Sequence, residues 1–231
     1  MCLSPEVDLV VGASVTLVSF GALKNNVHRR TLPIALIPAI FSAHLFASAI
    51  VWLGFDGNVS TGIQTVATNF YLFIAFVLWP TYIPAAILFV EPDGLRRLAL
   101  SLFVVLGVIT SVQFFSAIVS GNGTATSGNL FIDFHVSGTP NYSGALYFVV
   151  TCGSALLSGQ RAIVVWGWLN VFAVTALVVS ANHGLPSLWC FWAAITSVCV
   201  LWFIRSIKLR KELGLPWPWS AQDDRQHKVV S

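Results

Sequence analysis

The side chain best placed to do chemistry is His44, in the run Ser42-Ala43-His44-Leu45-Phe46. Asp56 is the only charged residue between Arg30 and Glu91. An ionisable group in the middle of a long apolar run marks a functional site by default. The competing reading is a neutral imidazole that bonds a carbonyl or hydroxyl on a neighbouring helix, worth about 0.6 kcal/mol. Ser48, Asn69, Gln113 and Asn170 also lie in or near apolar runs. They can line a polar pocket with His44, or act singly as hydrogen-bonding glue between helices. Trp79-Pro80 and Trp189-Cys190-Phe191-Trp192 supply walls for an aromatic cavity, against the alternative of packing toward lipid. The ligand-binding candidates are therefore His44, Ser48, Asn69, Trp79, Gln113, Asn170, Trp189 and Cys190.

A second group has metal-ligating residue types. Asp56, Asp133, His135 and His183 come from three connecting segments, with Cys2, Glu6 and Cys190 near the same level. Asp133 and His135 share a face if their segment is extended. The helical and Cys-x-x-Cys spacings that make zinc motifs specific are missing, so Asp133, His135 and His183 are weak metal candidates and solvated loop positions are the default. Cys152 and Cys199 read as small apolar residues. Cys2 and Cys190 can form a disulfide if their separation allows it. No Gly-x-Ser-x-Gly elbow, phosphate-binding glycine pattern or His-Glu-x-x-His is present, and no cofactor is implied. Asn58, Asn122 and Asn141 each open an Asn-x-Ser/Thr acceptor pattern.

The elements that must position these residues follow from composition. Hydrophobic residues make up 56% of the chain and charged residues 9%, against about 25% charged in soluble domains. No Lys, Arg, Asp or Glu occurs between Arg161 and Arg205. So little polar material cannot cover a water-facing surface, and the bilayer is the expected solvent. About 20 apolar residues cross a bilayer as a helix. Seven such runs are read at 5–23, 32–54, 63–90, 98–119, 143–158, 162–180 and 186–205. The fold class is an all-α bundle of seven transmembrane helices over 1–213, followed by a polar tail over 214–231. The third span is long enough to tilt or to bend at Pro80 and Pro84. The leading acidic residues and the absence of a cleavage site exclude a cleaved signal peptide.

Seven spans place all 12 basic residues on one side, from Lys24, Arg29 and Arg30 through Arg96, Arg97 and Arg161 to the tail. Glu6, Asp8, Asp56 and Asp133 fall on the other. The positive-inside rule makes the basic side cytoplasmic, with the N-terminus outside and the C-terminus inside the cell membrane. The net charge of +3 is then a topology signal, with affinity for anionic headgroups as a weaker reading, and not a footprint of nucleic acid. The segment 120–142 is long and rich in Gly, Ser, Thr and Asn, with an apolar island at 130–134 that suggests folding back onto the bundle. Trp217 and Trp219 are candidates for the headgroup level, within a tail otherwise read as disordered.

Three motifs carry a resemblance. They are the opening Met1-Cys2-Leu3-Ser4 with small residues around Gly12, then Tyr71-Leu72-Phe73 leading to Trp79-Pro80, and Ser187-Leu188-Trp189-Cys190-Phe191-Trp192-Ala193-Ala194. In these the chain resembles an uncharacterised prokaryotic family of seven-helix integral membrane proteins. The resemblance implies the fold and adds no activity. The second span departs from the pattern: Ser48-Ala49 precedes Val51-Trp52 where the family has Glu-Gly, and His44 stands where a glutamine is expected. Chemistry that rests on that glutamate does not carry over. Function is expected in one of three classes: binding or sensing of a neutral or lipidic small molecule within the bundle, an intramembrane enzyme acting on an isoprenoid or lipid, or an accessory subunit of a membrane complex.

Overall fold

In the computed structural model, which describes residues 4–128, 131–180 and 185–219, the chain is mostly helical. Seven helical segments follow in order: α1 (Pro5–Lys24), α2 (Arg29–Phe55), α3 (Thr61–Val90), α4 (Leu95–Asn122), α5 (Ser143–Leu157), α6 (Arg161–Val179) and α7 (Pro186–Glu212). All but α5 are long and apolar enough to cross a membrane. At about 1.5 Å per residue α5 reaches roughly 22 Å, short of a hydrocarbon core of about 30 Å. The segment between α4 and α5, expected as a loop, contains an antiparallel hairpin of β1 (Gly123–Ser127) and β2 (Ile132–Val136).

Local chemistry sets the ends. Ser4 caps α1 by accepting from the Val7 N–H at 3.3 Å, Pro5 supplies a first-turn residue that needs no donor, and Glu6 and Asp8 lie at the positive end of the helix dipole. Lys24 occupies the last turn, where a cation is favoured. α2 breaks at Leu36, just ahead of Pro38, and α7 breaks at Ser197.

Helix α3 deviates most. Its α-helical turns stop at Leu72, six residues (Phe73–Leu78) wind as π-helix, and α-helix resumes at Trp79. The Trp79 N–H bonds the Ile74 carbonyl, five residues back. Carrying that register forward sets Pro80 opposite Ala75, and proline has no N–H to give. The Tyr147 hydroxyl of α5 donates to the Ala75 carbonyl instead, at 2.6 Å. Ser111 of α4 donates to the Val77 carbonyl, also at 2.6 Å. Pro84 likewise leaves the Pro80 carbonyl without a helical donor. Gly107 lets α4 approach that carbonyl so closely that an added Cβ would lie 2.1 Å from it. The sequence predicts either a tilt of this span or a bend at the prolines. The distortion lies one turn earlier, because the wide turn moves backbone carbonyls away from the pyrrolidine ring.

The basic segments gather at one end. Lys208 donates to the Asn25 side chain at 3.0 Å, tying α7 to the end of α1. Glu91, after α3, accepts from the Gly159 N–H between α5 and α6 at 2.9 Å. Trp217 and Trp219 stack on each other and lie 4.9 and 4.8 Å from the His28 ring. At the opposite, acidic end the hairpin covers the bundle. Ile132, Phe134 and Val136 alternate inward and are buried, and the Ser187 hydroxyl of α7 bonds the Ile132 carbonyl.

Candidate functional site

Helices α3, α5, α6 and α7 converge on Tyr147. Its ring meets Trp189 edge-on at 5.4 Å and Phe114 edge-on at 6.2 Å. Edge-to-face rings attract through their quadrupoles but leave corners that flat stacks do not. Two cavities use those corners. The inner one, about 40 Å³, is walled by Trp79, Tyr147, Trp166, Asn170, Trp189 and Cys190 among others. The outer one, about 470 Å³, is bounded by Phe76, Phe114, Tyr147, Phe148, Trp189 and Cys190. Its rim carries the exposed residues Ala145 of α5 and Val178 of α6, so it opens between those helices. Tyr147, Trp189 and Cys190 belong to both walls and stand between them.

The polar atoms of the outer wall are already engaged. Tyr147 donates to the Ala75 carbonyl, and the Trp189 indole donates to Asn170 Oδ1 at 3.0 Å. Asn170 returns its own N–H to the Trp166 carbonyl at 2.8 Å, and Thr175 bonds the Val171 carbonyl. The inner wall differs. The Trp79 and Trp166 indoles are 2% and 6% exposed, and neither Nε1–H has a hydrogen-bond partner among the described residues. Two buried donors left unpaired cost about 1–3 kcal/mol each.

Of the sequence candidates, Trp79, Asn170, Trp189 and Cys190 come together at the inner cavity. His44 and Ser48 are fully buried on α2 but line neither cavity. The His44 ring stacks on Tyr71 at 3.8 Å, and Tyr71 stacks on Phe134 of the hairpin at 3.5 Å. Neither ring nitrogen of His44, nor the Ser48 hydroxyl, has a partner among the described residues. Asn69 is exposed on α3. Gln113 accepts from Ser143 and donates to Tyr142, bracing α4 against the start of α5. Asp133 and His135 lie on the face of β2 turned away from the bundle, opposite Thr126 and Thr124 of β1. His183 and Cys2 lie outside the described residues, and with Cys2 so does the suggested Cys2–Cys190 pairing; Cys190 is a buried free thiol. Among the described residues no three His, Cys, Asp or Glu side chains converge as metal ligands.

Phe76, Phe114, Tyr147, Phe148 and Trp166 escape a reading of the sequence. Each is an aromatic residue inside an almost wholly apolar run, with no contrast to mark it. The available signal was the pair Pro80 and Pro84, since a freed carbonyl calls for a donor from a neighbouring helix.

At the basic end, the Glu91 carboxylate is buried and accepts from the Gly159 N–H at 2.9 and 3.1 Å and from the Ser158 hydroxyl at 3.3 Å. Burial raises its pKa above the ordinary value, opposed by those two hydrogen bonds and by the Arg96 charge. A Cβ at 159 would lie 2.8 Å from Glu91 Oε1 and 2.9 Å from Arg96 Nη1, so any larger residue there must push those two side-chain ends aside.

No curated protein and no solved structure matches this chain. Its sequence matches the family model DUF6629, described as a family of unknown function, over residues 1–213, and the chain belongs to that family.

Proposed function

We propose that this protein is a multi-pass cell-membrane protein, its basic end cytoplasmic and its N-terminus outside, that binds a neutral apolar molecule between α5, α6 and α7. Six helices long and apolar enough to span, and the segregation of Lys and Arg to one end, support the membrane reading. One observation carries the ligand reading: an aromatic cavity of about 470 Å³ whose wall polar groups already have protein partners, beside a smaller cavity with two buried indole donors that have none among the described residues. Such a wall rejects ions and strong donors, which would lose water and gain nothing. We propose that it accepts a hydrocarbon body that carries a single acceptor oxygen, as in a long-chain ketone or a quinone, the oxygen passing between Tyr147 and Trp189 into the inner cavity to reach Trp79 and Trp166.

Heavy-atom quenching tests this reading. A bromoalkyl ketone and the matching bromoalkane are titrated into the protein in phosphatidylcholine nanodiscs while tryptophan fluorescence is followed. The ketone is expected to quench at an about tenfold lower mole fraction, the worth of one hydrogen bond of about 1.4 kcal/mol. The Trp79→Phe/Trp166→Phe double variant, with Trp189 still reporting, is expected to erase that difference. Equal quenching by ketone and alkane in the unaltered protein would overturn the acceptor assignment. An unquenched Trp189 in both proteins would overturn the cavity as a site.

A further inference from the structure

A second cavity system lies at the basic end, remote from the aromatic one. Between the α3–α4 and α5–α6 connections and the end of α7 runs a cleft of about 560 Å³. Three arginines from three separate segments line it: Arg96 in the first turn of α4, Arg161 at the start of α6, and Arg210 in the last turn of α7. The one acidic residue on its wall, Glu91, has its oxygens committed to Gly159 and Ser158. Neither Arg96 nor Arg161 forms an ion pair among the described residues. Arg210 spends Nε and Nη2 on the Pro216 carbonyl, which draws 214–219 across the cleft and leaves Nη1 over. The positive end of the α6 dipole adds to the same field. Apart from Gln160 and Ser206 the remaining wall is mostly apolar, with Trp202, Phe203 and Ile207 on α7 and Leu213 just past its end.

We infer that this cleft holds a phosphate group joined to an apolar chain, which is the chemistry of an anionic phospholipid. Guanidinium groups match phosphate oxygens through paired N–H donors, and three of them around one cleft outweigh a single committed carboxylate. A soluble phosphate would use the arginines and leave the apolar wall without a role. An acyl chain uses both, and Trp202, 47% exposed, sits where an indole belongs at a headgroup boundary. The inference does not depend on the ligand proposed for the aromatic cavity.

The test uses the full-length protein with two probes: phosphatidylglycerol in phosphatidylcholine nanodiscs, and free glycerol phosphate. Retained lipid is counted by native mass spectrometry, and glycerol phosphate binding by calorimetry. Arg96→Gln/Arg161→Gln is compared with Arg29→Gln/Arg30→Gln, which removes the same charge at the same end outside the cleft. The unaltered protein is expected to retain phosphatidylglycerol in preference to phosphatidylcholine. Each cleft arginine removed should cost about tenfold or more, from about 1.5–3 kcal/mol per charged hydrogen bond, and the control pair should stay within about twofold. Thermal melts of both double variants, all at exposed positions, verify folding. Equal loss in the two variants would reduce the effect to diffuse surface charge and overturn the site. Glycerol phosphate binding as tightly as the lipid would overturn the phospholipid assignment in favour of a soluble phosphate.

Discussion

Two aromatic assemblies share helix α3 and are built on opposite plans. Around Tyr71, the rings of His44, Tyr71 and Phe134 lie face to face at 3.8 and 3.5 Å, and all three are buried to within 1%. Around Tyr147, the rings meet at 78° and 86° and enclose open volume. The closed stack keeps unpaired polar atoms on His44 and Ser48, whereas the open assembly has used up the polar atoms of its outer wall. Polarity and vacancy are thus separate properties. The most conspicuous ionisable residue of the sequence lies in a closed, fully buried stack, and room for a guest occurs on a different set of helices.

Truncating one ring in each assembly tests that contrast most strongly. Tyr71→Ala removes the middle of the stack and should cost about 3–5 kcal/mol, as large aromatic truncations in filled cores do. Phe148→Ala widens a cavity that already exists and should cost about 1 kcal/mol, near the centre of single-substitution effects. Denaturant unfolding in micelles measures both, and equal costs would remove the distinction between filled and open.

Next in size is the tie between loops. Glu91→Ala strips Gly159 and Ser158 of their acceptor and should cost about 1–3 kcal/mol. Because that tie holds the α5–α6 connection to α3, it should also weaken ketone quenching at Trp189 while leaving the Tyr71 stack intact. The pH dependence has a defined sign. The folded-state pKa of Glu91 is raised, so its contribution is full below the ordinary 4.5 and is lost as pH rises through the folded value. Unfolding measured against pH should therefore show the native protein losing stability relative to Glu91→Gln above about pH 4.5. A constant difference across the range would mean the carboxylate is fully compensated by its donors.

At His44 two opposing terms should leave a small net effect. Replacing it with Leu loses a stacking contact of about 0.5–1.5 kcal/mol and relieves an unpaired-polar penalty of about 1–3 kcal/mol. Thermal unfolding of His44→Leu should fall within about 1–2 kcal/mol of the parent, with unchanged quenching at Trp189. A loss well beyond that, or a loss of ligand binding, would show that the imidazole serves the site after all.

The long helices were legible because each is an unbroken apolar run between charged or turn-forming residues, as at Glu91-Pro92-Asp93-Gly94. The hairpin was not, since β1 reads Gly-Thr-Ala-Thr-Ser and only β2, Ile-Asp-Phe-His-Val, alternates. The π-turns of α3 were hidden for a related reason: Phe73–Leu78 is apolar at every position, so a change of helical period alters no pattern. At the site, Trp79, Asn170, Trp189 and Cys190 stood out because tryptophan, amide and thiol groups are rare in such runs. What joins them is supplied by Tyr147, whose hydrogen-bond partner Ala75 lies on a helix far away in the chain, and by Trp166, which completes the same wall.

The hairpin that roofs the acidic end also decides how affinity should be counted. With Ile132, Phe134 and Val136 pressed onto the bundle and Ser187 fastening β2 to α7, the route to the outer cavity runs sideways between α5 and α6. With the bundle in a bilayer, as proposed above, a guest on that route comes from the acyl phase, where an apolar compound is concentrated far above its aqueous level. Occupancy is then governed by mole fraction in the lipid, and a partition coefficient enters every apparent dissociation constant. Two compounds of equal fit will differ in apparent potency by the ratio of their partitioning. Diluting the protein into more lipid at fixed water volume will empty the cavity, whereas adding buffer at a fixed lipid-to-ligand ratio will leave it filled.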